Sequence, residues 1–372
     1  MKRIAALILA VLMLSGCVPH TELNRLGIAE AVGVDLENGL YTVTVQYFNT
    51  DASGGVTAVD STAPNAVITS GSGRTIESAV EALSYKTGCN IMFGSAAILV
   101  FSEDALGSLE EALWLAISHY SGNPAAYVAA ARGKASDIMN VRFKEGNASV
   151  EKLKDMLRNA EELGLSRTVR VHEALEKLSC PAGGVVLPLL QAYTGGPELT
   201  EEGSSVIIAG GALCTGGRFA GALSVREMSG LHILDPAPGS LGNCEMTLSY
   251  MGRDTRVMLY GTRAIIDPEY SGRLSLGVHI TADCKIVSTG ISAPYSVREE
   301  LEELCAGELE KRVAELLEKT VTAYGADVSG ISYVLVQHYP DLRILSGSEL
   351  RNLLAGSAVS VTADVRMERY GV

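Results

Sequence analysis

The second half of the sequence combines a series of alternating strands with one long amphipathic helix, and this combination restricts the possible folds more than any other feature. Alternating apolar and polar side chains predict strands, because successive side chains of a strand point to opposite faces of a sheet. Such strands are predicted at 205–212, 219–223, 244–249, 256–266, 273–282 and 358–368. Neighbouring strands without intervening helices are typical of an antiparallel sheet.

The long helix is predicted over residues 296–324, with Ser296 and Glu299 as a capping box at its start. Apolar side chains recur on one face at helical spacing, which predicts that this face packs against the sheet. They are Leu301, Leu304, Leu309, Val313, Leu316, Leu317 and Val321. We expect the opposite face to be a solvated surface. It carries Glu302, Glu303, Glu310, Lys311 and Glu318.

The first half mixes helices and strands without the regular βαβα order of a parallel sheet. Strands are predicted at 40–48, 97–101, 126–131 and 185–192, and helices at 75–86, 108–120, 150–163 and 168–178. Ser108 and Glu111 form a predicted capping box, and residues 49–66 predict a loop. The sequence therefore predicts an α+β fold, multi-domain and mixed α/β, with largely antiparallel sheets in the second half.

Turn-forming residues at 193–203 mark the best candidate for a domain boundary. We expect a signal peptide at 1–16, an N-terminal domain at 17–200 and a C-terminal domain at 201–372. A further division into three domains is compatible with the length of 372 residues, since domains commonly have about 150.

The N-terminus has the parts of a bacterial export signal. Lys2 and Arg3 precede an apolar run of eleven residues, 4–14, which is shorter than the roughly 20 residues that span a bilayer. Leu14-Ser15-Gly16-Cys17 matches a lipobox, so we expect Cys17 to carry a diacylglyceryl group and fatty acid such as palmitate. An ordinary secretory peptide with an incidental cysteine is the alternative.

The charge of the chain excludes some partners. With 30 Lys and Arg against 43 Asp and Glu, the formal net charge is −13. Nucleic acid is therefore an improbable partner, and protein charge alone does not hold this chain on an anionic membrane. Lipid on Cys17 supplies the anchor instead, because each buried methylene contributes about 0.8 kcal/mol.

No catalytic, cofactor-binding or metal-binding constellation emerges from the sequence. The six histidines form no HExxH, HxH or HxxxH pair, and there is no GxSxG motif. Residues 70–74 resemble a phosphate-binding loop but lack its lysine, and a plain turn before the helix is the alternative. The pairs Glu110-Glu111 and Glu302-Glu303 lie on predicted exposed helix faces. We expect no enzyme.

The six cysteines beyond Cys17 are widely spaced. None forms a CxxC pair, which makes a local zinc site improbable. Three disulfides are one possibility, and buried free thiols are the other, favoured by apolar neighbours such as those of Cys214.

An ordered series of short motifs runs through nearly the whole chain after Cys17. In the first half they are Glu22-Leu23, Leu26-Gly27-Ile28, Gly33-Val34-Asp35, Val43-Thr44-Val45-Gln46, Gly73-Arg74-Thr75 and the segment from Ile98 to Glu103. In the second half they are Ala212-Leu213, the segment from Phe219 to Leu223, Glu227, Ser229-Gly230-Leu231 and the segment from Asp327 to Ile331. Together with the lipobox, this order resembles the Ger(x)C family, the C-type lipoprotein subunits of spore germinant receptors. Two departures are the absence of tryptophan after Tyr339-Pro340-Asp341-Leu342 and the residues Val18-Pro19-His20 after the lipobox.

The resemblance implies a non-enzymatic subunit on the outer face of the cell membrane or spore inner membrane. It implies assembly with a transporter-like B-type subunit and an A-type subunit, both with membrane helices. It also implies mixed α/β domains, commonly three, and no catalytic residues.

Two other functions remain open from the residues alone. A solute-binding lipoprotein of an importer fits the anchor and the length but requires two doubly wound lobes around a polar cleft. An exported hydrolase acting on cell wall is the third interpretation.

Overall fold

The computed structural model describes residues 26–49, 66–141, 149–194, 204–236, 242–250, 252–288 and 298–367. Cys17, most of the predicted loop at 49–66, most of the predicted boundary segment and Ser296 lie outside the described residues.

The described residues form strands and helices in a mixed order. The strands are β1 (Leu26–Glu37), β2 (Leu40–Asn49), β3 (Ala66–Gly73), β4 (Asn90–Met92), β5 (Ile98–Ser102), β6 (Tyr127–Arg132), β7 (Gly184–Thr194), β8 (Ser204–Thr215), β9 (Arg218–Leu223), β10 (Cys244–Tyr250), β11 (Arg253–Tyr270), β12 (Leu274–Ser288) and β13 (Ala358–Met367). The α-helices are α1 (Ile76–Thr87), α2 (Leu109–Ser118), α3 (Ala135–Met139), α4 (Ser149–Glu162), α5 (Val171–Ser179), α6 (Val225–Leu234), α7 (Arg298–Leu317), α8 (Ile331–His338) and α9 (Gly347–Ala355). This arrangement confirms the predicted α+β class.

The first sheet has the order β3-β2-β1-β5-β6-β7-β8-β9, with the short β4 also paired to β1. Its centre is parallel, from β1 through β7, and its two outer hairpins are antiparallel. Apolar side chains of α1, α2 and α5 pack on one face, and those of α3 and α4 on the other. Both faces of the sheet centre are therefore buried.

The second sheet has the order β10-β11-β12-β13. The β10–β11 and β11–β12 pairs are antiparallel, as predicted for this half, whereas β13 pairs parallel to β12. Apolar side chains of α6, α7, α8 and α9 form one core with this sheet. That core also includes Val186 and Leu213 of the first sheet, so the two sheets share buried side chains.

Helix α7 covers the outer edge of the second sheet. Glu310 accepts a hydrogen bond from the backbone N–H of Ala363 (2.9 Å), and Glu302 accepts one from Met367 (2.7 Å). These two N–H groups belong to the edge strand β13, which otherwise presents them to solvent or to another chain. The expectation that the whole acidic face of this helix is solvated is therefore wrong at Glu302 and Glu310.

Several elements had no counterpart in the sequence prediction. β1 is buried on both faces over much of its length and lacks the alternation of a half-exposed strand. α6 is buried on nearly every side from Met228 to Leu234, so no amphipathic stripe marks it. The predicted capping box at Ser108 is also wrong, because its hydroxyl bonds to Tyr41 and caps no helix.

The predicted domain boundary near residue 200 falls between β7 and β8, which pair with each other in the first sheet. Backbone hydrogen bonds also join Gly184 to Asp327 and Asp327 to Ala182. The division into 17–200 and 201–372 remains a prediction.

Candidate functional site

β1 is the first element that the structure describes, and it begins at Leu26, nine positions after Cys17. There Leu26, Gly27 and Ile28 pair in parallel with Asn90, Ile91 and Met92 of β4. Cys17 itself lies outside the described residues, so its proposed lipid attachment is not tested by the structure.

An apolar groove lies beside this point, between α1 and α2, and we call it the α1–α2 groove. Ile76 and Val80 of α1 line one side, and Leu115 and Ile117 of α2 line the other. Its floor is formed by apolar side chains of β1, β2 and β5. About 50 Å³ is unfilled, several times the roughly 10–15 Å³ that one water molecule requires. A single apolar side chain fits this space better than water does, because the walls offer almost no polar partners.

Aromatic residues close one end of the groove. Phe93 directly follows β4, and its ring contacts that of Tyr120 at 5.3 Å between centroids. Burial raises the pKa of the Tyr120 hydroxyl, and the nearby carboxylates Glu77 and Glu81 raise this pKa further. Trp114 of α2 lies on the same helix and exposes half of its surface (51%).

Carboxylates lie near one end of the groove, where Glu77 and Glu81 act on Tyr120. Glu77 and Glu81 lie one turn apart on α1, and Glu111 lies one turn before Leu115 on α2. Within the described part of the chain, none of the three has a basic side chain within 4 Å. The groove thus combines an apolar interior with an acidic margin.

The Gly33-x-Asp35 motif has a structural role. The Asp35 carboxylate accepts hydrogen bonds from the backbone N–H groups of Ala135 (2.6 Å) and Ser136 (3.0 Å), at the start of α3. A side chain on Gly33 would meet Met139 and Ala135 of that same helix. The motif therefore docks α3 on β1, where negative charge at a helix N-terminus is favourable.

The candidate phosphate loop at 70–74 is a strand followed by a helix cap. Gly71 and Gly73 belong to β3 and lie against the backbone of α1. Thr75 caps α1, and the Lys86 ammonium donates to the Ser70 carbonyl oxygen (2.7 Å). The small residues thus allow close packing of a helix on an edge strand, so residues 70–73 form neither a phosphate-binding loop nor the plain turn that was the alternative.

A buried charged network joins the two halves of the chain. Asp235, at the end of α6, forms ion pairs with Lys177 (2.5 Å) and Arg167 (3.2 Å). Lys177 also donates to the Val328 carbonyl oxygen (2.9 Å). Burial and then the Arg167 guanidinium lower the pKa of His232, which keeps this fully buried imidazole neutral at pH 7. The network connects elements rather than opening onto a cleft.

No cluster of three or more metal-ligating side chains occurs within the described ranges. His172 and His338 each hydrogen-bond a nearby backbone carbonyl, and His279 hydrogen-bonds the Thr362 hydroxyl. His20 lies outside the described residues.

The six described cysteines are free. Burial is confirmed for Cys89, Cys214, Cys244, Cys284 and Cys305. Cys180 is exposed, because it follows the last turn of α5, and the expectation of burial is wrong there. Burial raises the pKa of Cys214 to about 12, so this thiol is unreactive.

Comparison with known families shows which family the chain belongs to. A family model described as the spore germination protein N-terminal domain matches residues 19–192. A second model, described as spore germination B3/GerAC-like, C-terminal, matches residues 209–371. The chain belongs to the GerAC family of spore germination proteins. This confirms the resemblance inferred from the motif order.

One solved structure shows the same fold. The crystal structure of the GerBC protein matches with a TM-score of 0.56 and 15% identity, over 91% of this chain and 97% of that one. No curated protein matches the chain. None of the helices that the structure describes is both long and apolar enough to cross a membrane.

Of the motifs found in the sequence, Gly33-Val34-Asp35 and Gly73-Arg74-Thr75 serve helix packing and capping, and Val34, Val43, Leu99 and Phe101 of the motifs line the α1–α2 groove. Sequence reasoning missed the groove because its walls come from segments far apart in the chain.

Proposed function

We propose that this chain is a non-enzymatic lipoprotein subunit of a spore germinant receptor, needed for nutrient-triggered germination. The single observation that carries the proposal is the pair of spore germination family models, which match in order from residue 19 to residue 371. The first match begins two residues after Cys17, and Cys17 is the residue at which a mature lipoprotein would begin. The likeness to the GerBC structure supports the same fold.

The tether in this proposal is the acylated Cys17, on the outer face of the cell membrane or spore inner membrane. The lipobox Leu14–Cys17 supports it, as does an acidic body that gains nothing from anionic lipid. Membrane subunits of A type and B type are the proposed partners.

A non-catalytic role is supported by how the buried acidic residues are used. Asp35, Glu302 and Glu310 accept backbone N–H groups, and Asp327 accepts those of Ile331 (2.8 Å) and Ser332 (2.7 Å) at the start of α8. These carboxylates stabilise helix ends and a strand edge. They are not directed at a substrate.

Deletion of the gene tests the receptor role. We expect normal vegetative growth and slow germination of the spores in nutrients, with recovery when the wild-type chain is restored. Spores that germinate at the normal rate would contradict the proposal. Micromolar binding of an amino acid or sugar to the protein, with normal germination, would instead favour an importer.

A further inference from the structure

We propose that Cys284 of β12 and Cys305 of α7 form a disulfide bond in the exported protein and so fasten α7 to the second sheet. This inference deepens the proposed function and rests on it for one point, the export of the chain to a compartment in which disulfides persist.

The register of the second sheet places the two residues together. Cys284 lies directly opposite Met367 of β13 in the parallel β12–β13 pair. The backbone N–H of Met367 donates to Glu302 of α7 (2.7 Å), so this part of the helix lies beside the sheet at the level of Cys284. Cys305 follows Glu302 by three residues, almost one helical turn, and belongs to the same buried core as Cys284.

The two thiols are in contact with each other. Both residues are fully buried (0% exposed), and a hydrogen bond joins their sulfur atoms, with Cys305 as the donor. This hydrogen bond lowers the pKa of the Cys284 thiol and raises that of Cys305. Sulfur atoms in hydrogen-bond contact need only a small movement to reach the bonded distance of about 2.05 Å. The pair is therefore positioned to form a covalent bond within an intact core.

Cys244, which is also fully buried in this core, is not a suitable partner for Cys284. Cys244 and Cys284 both pair with Leu259, from opposite sides of β11. They are two strand spacings apart, about 10 Å, which exceeds the roughly 7 Å between Cα atoms that a disulfide can bridge. Cys244 instead contacts Arg312 (3.9 Å between sulfur and nitrogen), which lies two turns after Cys305 on α7. It serves as a matched control.

The bond forms by exchange with an external disulfide, which is the oxidant. The Cys284 thiolate attacks one sulfur of that disulfide, and the other sulfur leaves as a thiolate. The Cys305 thiolate then attacks the Cys284 sulfur of the mixed disulfide and releases the second oxidant sulfur. The pair thus loses two electrons and two protons, and the oxidant becomes two thiols. Because both cysteines are buried in the folded protein, the exchange takes place before α7 packs on the sheet.

The cross-link would act on both the unfolded and the folded chain. Cys305 follows Cys284 by 21 positions, so the bond closes a loop that restricts the unfolded chain and thereby favours the folded state. In the folded protein it holds α7 against β12. This is the level at which Glu302 covers the outward N–H of β13.

Mass spectrometry of the full-length lipoprotein from spore membranes tests the inference. Spores are broken in acid, which stops thiol exchange, and free thiols are then alkylated in denaturant. Trypsin separates the two cysteines into peptides 274–285 and 299–311. We expect these peptides to be joined in most of the protein and to separate after reduction with dithiothreitol. The peptide that contains Cys244 should be alkylated as a free thiol in the same sample.

Thermal unfolding of the detergent-solubilised full-length protein measures the constraint. We expect reduction of the wild type to lower its unfolding midpoint by about 5 °C, because the opened loop frees the unfolded chain. The double variant Cys284→Ala with Cys305→Ala should show no shift with reductant, whereas Cys244→Ala should keep the wild-type shift. The peptide pattern of the wild type decides the inference even where the double variant fails to fold.

Alkylation of Cys284 and Cys305 as free thiols in the membrane-bound wild-type chain would overturn the inference. A bond from either of them to a different cysteine, or a wild-type midpoint that reduction leaves unchanged, would do the same. The proposed function would then stand, because membrane association and germination are measured independently. A wild-type chain that is both reduced and absent from the membranes would overturn both.

Discussion

Gly71 shows how a single residue determines the spacing between a helix and a sheet. It lies on the edge strand β3 directly beneath α1, where a methyl group would come within 2.6 Å of the Leu83 backbone nitrogen and closer to the Ala79 carbonyl oxygen. Backbone atoms cannot rotate away as a side chain can. α1 in turn forms one wall of the groove, so this glycine also positions the candidate site.

We expect Gly71→Ala to lower the free energy of unfolding by about 1–3 kcal/mol, because the added methyl group displaces α1. Urea unfolding at pH 7 measures the change. Gly307→Ala is the matched control. Gly307 is exposed within α7, and a methyl group there meets nothing within 4 Å. This variant should be more stable by about 0.5–1 kcal/mol, through helix propensity. Two variants of equal stability would refute the close-packing argument.

At this scale the sequence reveals motifs but not their partners. The resemblance included Gly33-Val34-Asp35, but nothing local indicates that Asp35 caps a helix 100 residues further along. The glycines at 71 and 73 suggested a plain turn, with a phosphate loop as the weaker interpretation, whereas they pack a strand against α1. Only the contacts made in three dimensions distinguish these possibilities.

Among the elements, α7 does the most to complete the second sheet. Its apolar face packs on the core, while Glu302 and Glu310 bond the outward N–H groups of β13. Burial opposes ionisation of Glu302, but the Met367 N–H and the Arg298 guanidinium outweigh it and hold the pKa below the ordinary value of 4.5. The charged form is thus the one that stabilises the edge.

Because the pKa of Glu302 is lower in the folded state, ionised Glu302 stabilises the protein at pH values above its unfolded-state pKa of about 4.5. This contribution is lost as the pH falls through the lowered pKa of the folded state. We expect Glu302→Gln to be less stable than wild type by about 1 kcal/mol at pH 7. The difference should shrink as the pH falls below 4.5. Urea unfolding across this range checks it, with Glu303→Gln on the exposed face as control. A difference that does not change with pH would count against the edge contact.

Helix and strand periodicity predicted most of the half-exposed elements, including α1, β11 and α7. It also predicted β2, which is buried on both faces, because polar Thr44 and Gln46 alternate there with apolar residues. It failed where an element is buried on all sides, as in β1 and α6, because the periodic signal requires one polar face. The acidic face of α7 was recognised as charged. β13 lies more than 40 residues further along the chain, so no local sequence pattern predicts its contact with this acidic face.

At the scale of the whole molecule, we propose that a single lipidated residue, Cys17, holds an acidic, folded body at a membrane. Sequence order alone indicated the family, and the matched models and the common fold with the GerBC structure support it. The two halves share a core and the Asp235 network, which connect the first sheet to the second. The groove escaped sequence analysis because it exists only once α1 and α2 lie side by side.

Acylation of residue 17 is the most direct test of this account. Spore membranes are prepared from cells labelled with a radioactive fatty acid, for the wild-type chain, Cys17→Ala and Cys180→Ala. We expect the wild type and Cys180→Ala, which lacks only an exposed thiol of the body, to be labelled and to sediment with the membranes. Cys17→Ala should lose both the label and the membrane fraction. A Cys17→Ala chain that remains labelled and membrane-bound would contradict the central claim.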